Sequence, residues 1–172
     1  WILEHPNTYT AGKIFKKNEI LNNKINIINT NRGGKITWHG PGQIVCYFVI
    51  DLNKRNKDIR NFIKVLENII IKSLDYYKIK SFADRKNIGI WVYKNNKKLK
   101  VGAIGLHIKK WIAYHGFSLN INNDLTPFKN IIPCGIRDKK VTNLKNIKNQ
   151  NYNDIKRIII KNFIQYMDIE GV

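Results

Sequence analysis

The stretch NIGIWVYKNNKKLKVGAIGLHIKKWIAYHGFSLNIN, residues 87–122, decides the fold. Short β-rich runs, NIGIWVY, VGAIGLHI and WIAYHGFSLNIN, follow one another across the polar breaks KNNKKLK and KK, the pattern of consecutive strands joined by turns. Upstream, IVCYFVIDL reads as a further strand. After it, DIRNFIKVLENIIIKSLDYY places Ile59, Phe62, Ile63, Leu66, Ile69, Ile70 and Leu74 at helical spacing behind Asp58, a ready N-cap. Downstream, NDIKRIIIKNFIQYMDI repeats the helical pattern behind Asn153 or Asp154. Helix after strand, then consecutive strands, then helix predicts an α+β domain, a mixed β-sheet flanked by helices, over an alternating doubly wound one. NNDLTPFKNIIPCGIRDKK has no periodicity and is expected to be a loop on that framework, where sites are commonly built.

The chain has 172 residues, 43% of them hydrophobic and 11% aromatic, which suits one globular domain with a full core. Its two cysteines make no disulfide framework and no Cys/His spacing matches a zinc site, so a reducing compartment is expected and a metal is not. No apolar stretch is long and charge-free enough to span a bilayer. The chain opens on WILEHPNTYTAGK, without an initiator Met, a basic leader or a cleavage site, and reads as trimmed at its start. A formal net charge of +19 creates a field that attracts polyanions or acidic proteins and weakens with salt. The lysines are dispersed among isoleucines and asparagines, as compositional drift also produces.

Three places could carry chemistry. RGGKITWHGPGQ, residues 32–43, has glycines that permit close backbone approach and positive φ, with His39 at the lip of the following strand. It matches neither a P-loop nor a dinucleotide fingerprint, and a plain hairpin loop is the alternative. Cys134 sits between Pro133 and Gly135 in NIIPCGI; it is either a small buried residue or a nucleophile whose thiolate needs a positive charge or base nearby. Cys46, inside the apolar run IVCYFVI, suits packing alone. Lys100 opens KVGAIGLHI, whose small Gly102, Ala103 and Gly105 would leave room above a sheet for a narrow apolar ligand; a solvated lysine at a strand start is the other reading.

In order along the chain, LEHPNTYTAGK, RGGKITWHGPGQIVCYFVIDL, NIGIWV, KVGAIG, YHGFSLNINNDLTPF, IIPCGI and VTNL resemble the lipoyl-carrier octanoyltransferases. These cofactor-free enzymes move an octanoyl group from acyl carrier protein to lipoyl domains, the first step of endogenous lipoate biosynthesis. The resemblance implies a biotin/lipoate protein ligase-like catalytic domain over residues 1–172, lacking the strand and helix that family members usually carry before LEHP. It implies Cys134 as the nucleophile bearing the acyl thioester, and Lys100 as the residue that lowers the cysteine's pKa and shuttles protons. The substrate pocket would be lined by Arg32, Gly33, Gly34, Lys35, Ile36, Thr37, Trp38 and His39, by Ala103, Ile104 and Gly105, and by Gly116, Phe117 and Ser118. His5 and Tyr47 would be further wall residues.

The implied partners are octanoyl-acyl carrier protein as donor and, as acceptors, the lipoyl domains of 2-oxoacid dehydrogenases and the glycine cleavage H protein. No cofactor, metal or membrane is implied. The implied compartment is the cytoplasm, or an organellar matrix if a transit peptide has been removed. Two rival readings stand beside this one. An ATP-dependent lipoate ligase on the same scaffold would make an acyl-adenylate and have no need of a nucleophilic cysteine in PCG. A basic nucleic-acid-binding domain would fit the charge, but the sequence carries no RNP, KH or helix-turn-helix signature.

Overall fold

The computed structural model describes residues 1–135 and 140–168, the side chain of Cys134 excepted. Its frame is a six-stranded sheet in the order β1 (Ile2–Leu3), β5 (Gln43–Asp51), β9 (Ile112–Asn120), β8 (Lys97–Lys109), β7 (Ile90–Lys94), β6 (Ser81–Ala83), antiparallel throughout. A second sheet of three short strands runs β3 (Ile27–Asn29), β2 (Thr8–Ala11), β4 (Ile36–His39), with β2 parallel to β3 and antiparallel to β4. Mixed pairing therefore resides in the small sheet. The fold is α+β, as expected.

Helix α1 (Ile59–Tyr76) begins where Asp58 accepts a 2.9 Å hydrogen bond from the backbone N–H of Asn61, a cap contributing about 1 kcal/mol. Its apolar stripe buries Phe62, Leu66, Ile69, Ile70 and Leu74, each stabilising by roughly 1.5–3 kcal/mol. Helix α3 (Ile155–Met167) packs beside it, and a single-turn helix α2 (Leu144–Ile147) adds Leu144 to the same core. All three helices cover one face of the large sheet, against Ile44, Cys46, Val92, Val101, Phe117 and Leu119.

Several boundaries differ from the sequence expectation. The polar break KNNKKLK is a turn only at Asn95 and Asn96, both at positive φ, a conformation asparagine tolerates; Lys97–Lys100 already belong to β8. The next hairpin turns at Lys110 and Trp111, again both at positive φ. A third of the segment read as a glycine loop, Ile36–His39, is strand β4: Ile36 and Trp38 pack with Phe128 and Ile131 in a separate small core, while Thr37 and His39 lean to the other side. The segment read as a plain loop carries 3₁₀ turns at Thr126–Asn130 and Pro133–Gly135.

Candidate active site

Lys100 lies on the face of the large sheet opposite the helices, and a one-residue irregularity puts it there. In the β7–β8 pairing Ile90 faces Gly102 whereas Trp91 faces Lys100, leaving Val101 as an extra residue, a β-bulge. Val101 and Ile104 point to the helical core, so strict alternation would set Lys100 and Ala103 on opposite faces. The bulge brings Lys100, Ala103 and Gly105 to one face. Gly102, expected to widen a slot there, instead abuts Ile90 on the core side.

Lys100 is only 8% exposed. Its Nζ donates to the carbonyl of Ile88 at 2.8 Å and stands 5.3 Å from the centre of the Trp91 ring. Its backbone is gripped as well: its N–H donates to Lys140 O at 3.0 Å and its carbonyl accepts from Thr142 N–H at 2.8 Å, a parallel bridge to Val141. The bland expectation of a solvated lysine does not describe this residue.

The small sheet covers part of the same face. Gly33 N–H donates to Leu106 O at 2.6 Å, and a Cβ on Gly33 would lie 2.7 Å from that oxygen, so only glycine lets the loop dock on β8. The Arg32 side chain passes over Gly105, its Cδ 3.3 Å from where a Cβ would be, and its guanidinium donates to Thr10 O, Thr10 Oγ1 and Gly33 O at 2.8–3.0 Å. Lys35 pairs with the buried Glu19 at 2.7 Å. Gly116 lies opposite Gly105 and Tyr47; a Cβ there would fall 1.9 Å from Cys46 O.

His39 is tied into a directional chain. Thr142 O can only accept, so Asn120 Nδ2 donates to it at 2.9 Å and Asn120 Oδ1 accepts from Gln43 Nε2 at 2.8 Å. Gln43 Oε1 is then the acceptor for His39 Nδ1–H at 2.6 Å, which leaves His39 Nε2 with its lone pair. Burial pushes the His39 pKa down from 6.5 to about 4; the Gln43 bond opposes this, and Arg32 and His5 add to it. His39 is a neutral imidazole at pH 7. Beside it, His5 Nε2 and Tyr47 Oη are 2.7 Å apart, and burial raises the Tyr47 pKa against the pull of Arg32.

The Pro133–Gly135 turn that contains Cys134 is held at its N-terminal side, where Ile132 N–H donates to Glu19 O at 2.7 Å and Ile131 bridges Ile20. A Cβ on Gly135 would meet Lys35 and Glu19. The Cys134 side chain, expected as nucleophile, lies outside the described residues. Five residues on, Lys140 is already bonded to Lys100, so Gly135 and Lys140 are within about 18 Å of each other by chain length.

Of the pocket residues expected, the structure sets Ala103, Gly105, Gly116, Ser118 and Tyr47 on the site face and brings Arg32, Gly33, His5 and His39 against it, while Thr37 pairs with Thr10 inside the small sheet and Gly34 sits in the turn before β4. It places the side chains of Ile36 and Trp38 in the small core and those of Ile104 and Phe117 in the helical core, because each occupies the alternate strand position. These four offer the site backbone only.

Comparison with known proteins settles the family. The model of the lipoyl protein ligase A/B catalytic domain matches residues 1–164. The octanoyltransferase of Rickettsia peacockii is 44% identical over 151 residues, 86% of this chain and 72% of the relative; that of Ehrlichia canis is 42% identical over 166 residues, 95% and 78%. The chain belongs to the octanoyltransferase family. The fold agrees: a bipartite lipoate protein ligase from Thermoplasma acidophilum superposes with a TM-score of 0.77 at 14% identity, covering 99% of this chain and 71% of that one. The Aquifex aeolicus biotin protein ligase superposes at 0.57 and 16% identity, covering 74% and 53%.

Within this octanoyltransferase family member, the other cysteine has a packing role. Cys46 is buried in the helical core, and burial raises its thiol to about 11, which keeps it protonated and inert. Sequence reasoning missed Gln43 and Asn120, whose burial at 2% and 5% only the register between β5 and β9 reveals. It also missed Glu67, although the signal was present: Ile63, Glu67, Ile70 and Leu74 share one helical stripe, and Glu67 is a buried acid in an apolar row. Among the described residues no group of three His, Cys, Asp or Glu side chains could hold a metal, and no helix is long and apolar enough to cross a membrane.

Proposed function

We propose that this chain transfers an octanoyl group from octanoyl-acyl carrier protein to the lysine of lipoyl domains through a thioester on Cys134, with Lys100 moving the protons. Membership of the octanoyltransferase family supports octanoyl transfer. The observation that carries the finer reading is the buried Lys100, turned by the bulge onto the same face as Ala103 and Gly105 and bonded through Lys140 to the segment that follows the Pro-Cys-Gly turn.

The chemistry follows from the two groups. A Lys100 ammonium favours the Cys134 thiolate, which attacks the thioester carbonyl; the C–S bond to the carrier breaks and the carrier sulfur leaves as a thiol with the proton of Lys100, which becomes a neutral amine. In the second half the acceptor lysine attacks the acyl-enzyme, an amide forms, and the amine proton passes to a neutral Lys100 as the Cys134 thiolate departs. Exchange of one thioester for another is close to balanced and aminolysis runs downhill, so no ATP enters. The +19 charge would steer acidic carrier and lipoyl domains toward the chain. His39, neutral and with its Nε2 lone pair available, lies on the same side as an acceptor for a substrate N–H or O–H.

Intact mass after mixing with octanoyl-acyl carrier protein tests this: wild type gains one octanoyl group and Cys134→Ser gains none. An adduct on Cys46, or lipoyl-domain octanoylation from free octanoate that requires ATP and magnesium, overturns it in favour of another nucleophile or of the ligase reading.

A further inference from the structure

We infer that Glu67 is the positioning residue for Lys100, acting through the Ile88–Gly89 peptide. This rests on the reading of Lys100 as proton carrier. The carbonyl of that peptide accepts from Lys100 Nζ at 2.8 Å, and its N–H points at Glu67 Oε1, 3.4 Å away. The peptide is trans, so its carbonyl and N–H project in opposite directions, and Lys100 and Glu67 stand on opposite sides of it. Glu67 comes from α1 on the helical side; Lys100 comes from the site face. One backbone amide joins the two.

The amide needs a lock because glycine makes it easy to turn over. Gly89 sits at φ +133°, and a Cβ there would lie 2.5 Å from Lys100 Cε and 2.6 Å from Gly102 O, so the lysine packs where a side chain would be. Glycine has little preference between the two orientations of the peptide before it. Turned over, the peptide would show its N–H to the Lys100 ammonium and its carbonyl to the Glu67 carboxylate, donor against donor and acceptor against acceptor. An ionised carboxylate accepts and cannot donate, so Glu67 favours only the orientation that holds Lys100. Burial raises the Glu67 pKa, the Gly89 N–H opposes this, Asp84 adds to it and Lys100 opposes it, the net direction being upward.

The surroundings are built to keep this loop in place. Asp84 accepts from Lys86 N–H and Asn87 Nδ2 at 2.9 Å each and pairs with Lys98. Trp91 Nε1–H donates to Asn87 O at 2.9 Å, and Lys98 and Lys100 both stand over the Trp91 ring. These contacts fix the loop up to Asn87, and the Ile88–Gly89 unit that follows meets Lys100 on one side and Glu67 on the other.

The decisive variant is Glu67→Gln, which keeps the shape but can hydrogen-bond either peptide orientation, donating through its nitrogen or accepting through its oxygen. Single-turnover acylation by octanoyl-acyl carrier protein, followed by intact mass, should show the maximal acylation rate constant falling about tenfold with the half-saturating donor concentration unchanged, and an unaltered urea midpoint. Glu67→Met, which removes every acceptor, should fall further, by about thirtyfold. In a Lys100→Ala background, Glu67→Gln and Glu67→Met should each change the residual rate less than about twofold, because their target is gone. A Glu67→Gln rate equal to wild type, or the same fold-loss with and without Lys100, overturns the inference and leaves Glu67 as packing. A Lys100→Ala enzyme that transfers at the wild-type rate instead overturns the underlying role of Lys100.

Discussion

Acidification should unfold this protein through His39 in a window set by two numbers. The unfolded imidazole titrates near 6.5 and the folded one near 4, since burial, Arg32 and His5 all oppose a charge there. A depressed folded pKa means that the unfolded chain takes up the proton first as pH falls. The native state is therefore at full strength above pH 6.5 and loses stability progressively toward pH 4. At 1.36 kcal/mol for each tenfold difference in proton affinity, the loss reaches about 3 kcal/mol by pH 4. His39→Gln removes the titration yet retains an amide N–H able to donate to Gln43 Oε1, so it isolates the effect. Urea unfolding of both proteins at pH 7.5, 6, 5 and 4 should show curves that diverge only below pH 6.5, the variant being the more resistant to acid by about 3 kcal/mol at the lowest point. Other groups, including Glu67 and Asp84, titrate alike in both and cancel in the difference. Parallel pH dependences would mean that His39 is not held neutral by its surroundings, and the directional chain from Thr142 would lose its terminal member.

Other expectations follow from single contacts. Lys100→Ala should still accumulate acyl-enzyme slowly at alkaline pH, where the thiolate forms without help, whereas Cys134→Ser should show no adduct at any pH; intact mass reads both. Cys46→Ser places a hydroxyl in an apolar cluster and should cost about 1–3 kcal/mol in urea unfolding while leaving acylation intact. Gly116→Ala forces a methyl to 1.9 Å from a backbone oxygen and should destabilise by about 3 kcal/mol or more, read as a lost or lowered thermal transition. Gly105→Val presses on Arg32 Cδ and should cost about 1–3 kcal/mol by overpacking, with the acyl-chain preference of the transfer assay moving toward shorter chains.

How much of this could be read from the sequence depended on how many residues carried each signal. The long hairpin strands and the two main helices were legible because alternation and 3.6-residue spacing repeat over many positions, and Asp58 caps α1 as its position suggested. The bulge at Val101 was not legible, since a single extra residue changes no composition and only pairing with β7 exposes it. The small sheet was hidden for another reason: Ile36–His39 alternates over four residues only, and the glycines around it dominate the reading. Glu67 was legible in principle, as an acid in an apolar stripe, but its meaning required the Ile88–Gly89 peptide, which lies 21 residues on in the chain and adjacent in space.

The glycines of the RGG segment change meaning once the layers are in place. Their sequence pattern suggests backbone approach to a ligand, yet Gly33 approaches Leu106 O, and the space over Gly105 is taken by the Arg32 stem. Glycine here serves to bring one sheet down onto another. On the proposed function, an acyl chain running toward Lys100 would pass over the strip formed by Ala103 and its β9 partner Ser118. Both ends of the strip are fixed from outside it. Arg32 is held by Thr10 of the small sheet, while Lys100 is held by Ile88, by Lys140 and Thr142, and through the Ile88–Gly89 peptide by Glu67 of the helical layer. The same Thr142 whose N–H grips the Lys100 carbonyl accepts from Asn120 at the far end of the His39 chain. A shift of residues 140–142 would therefore be felt at Lys100 and, through Asn120 and Gln43, at His39 together.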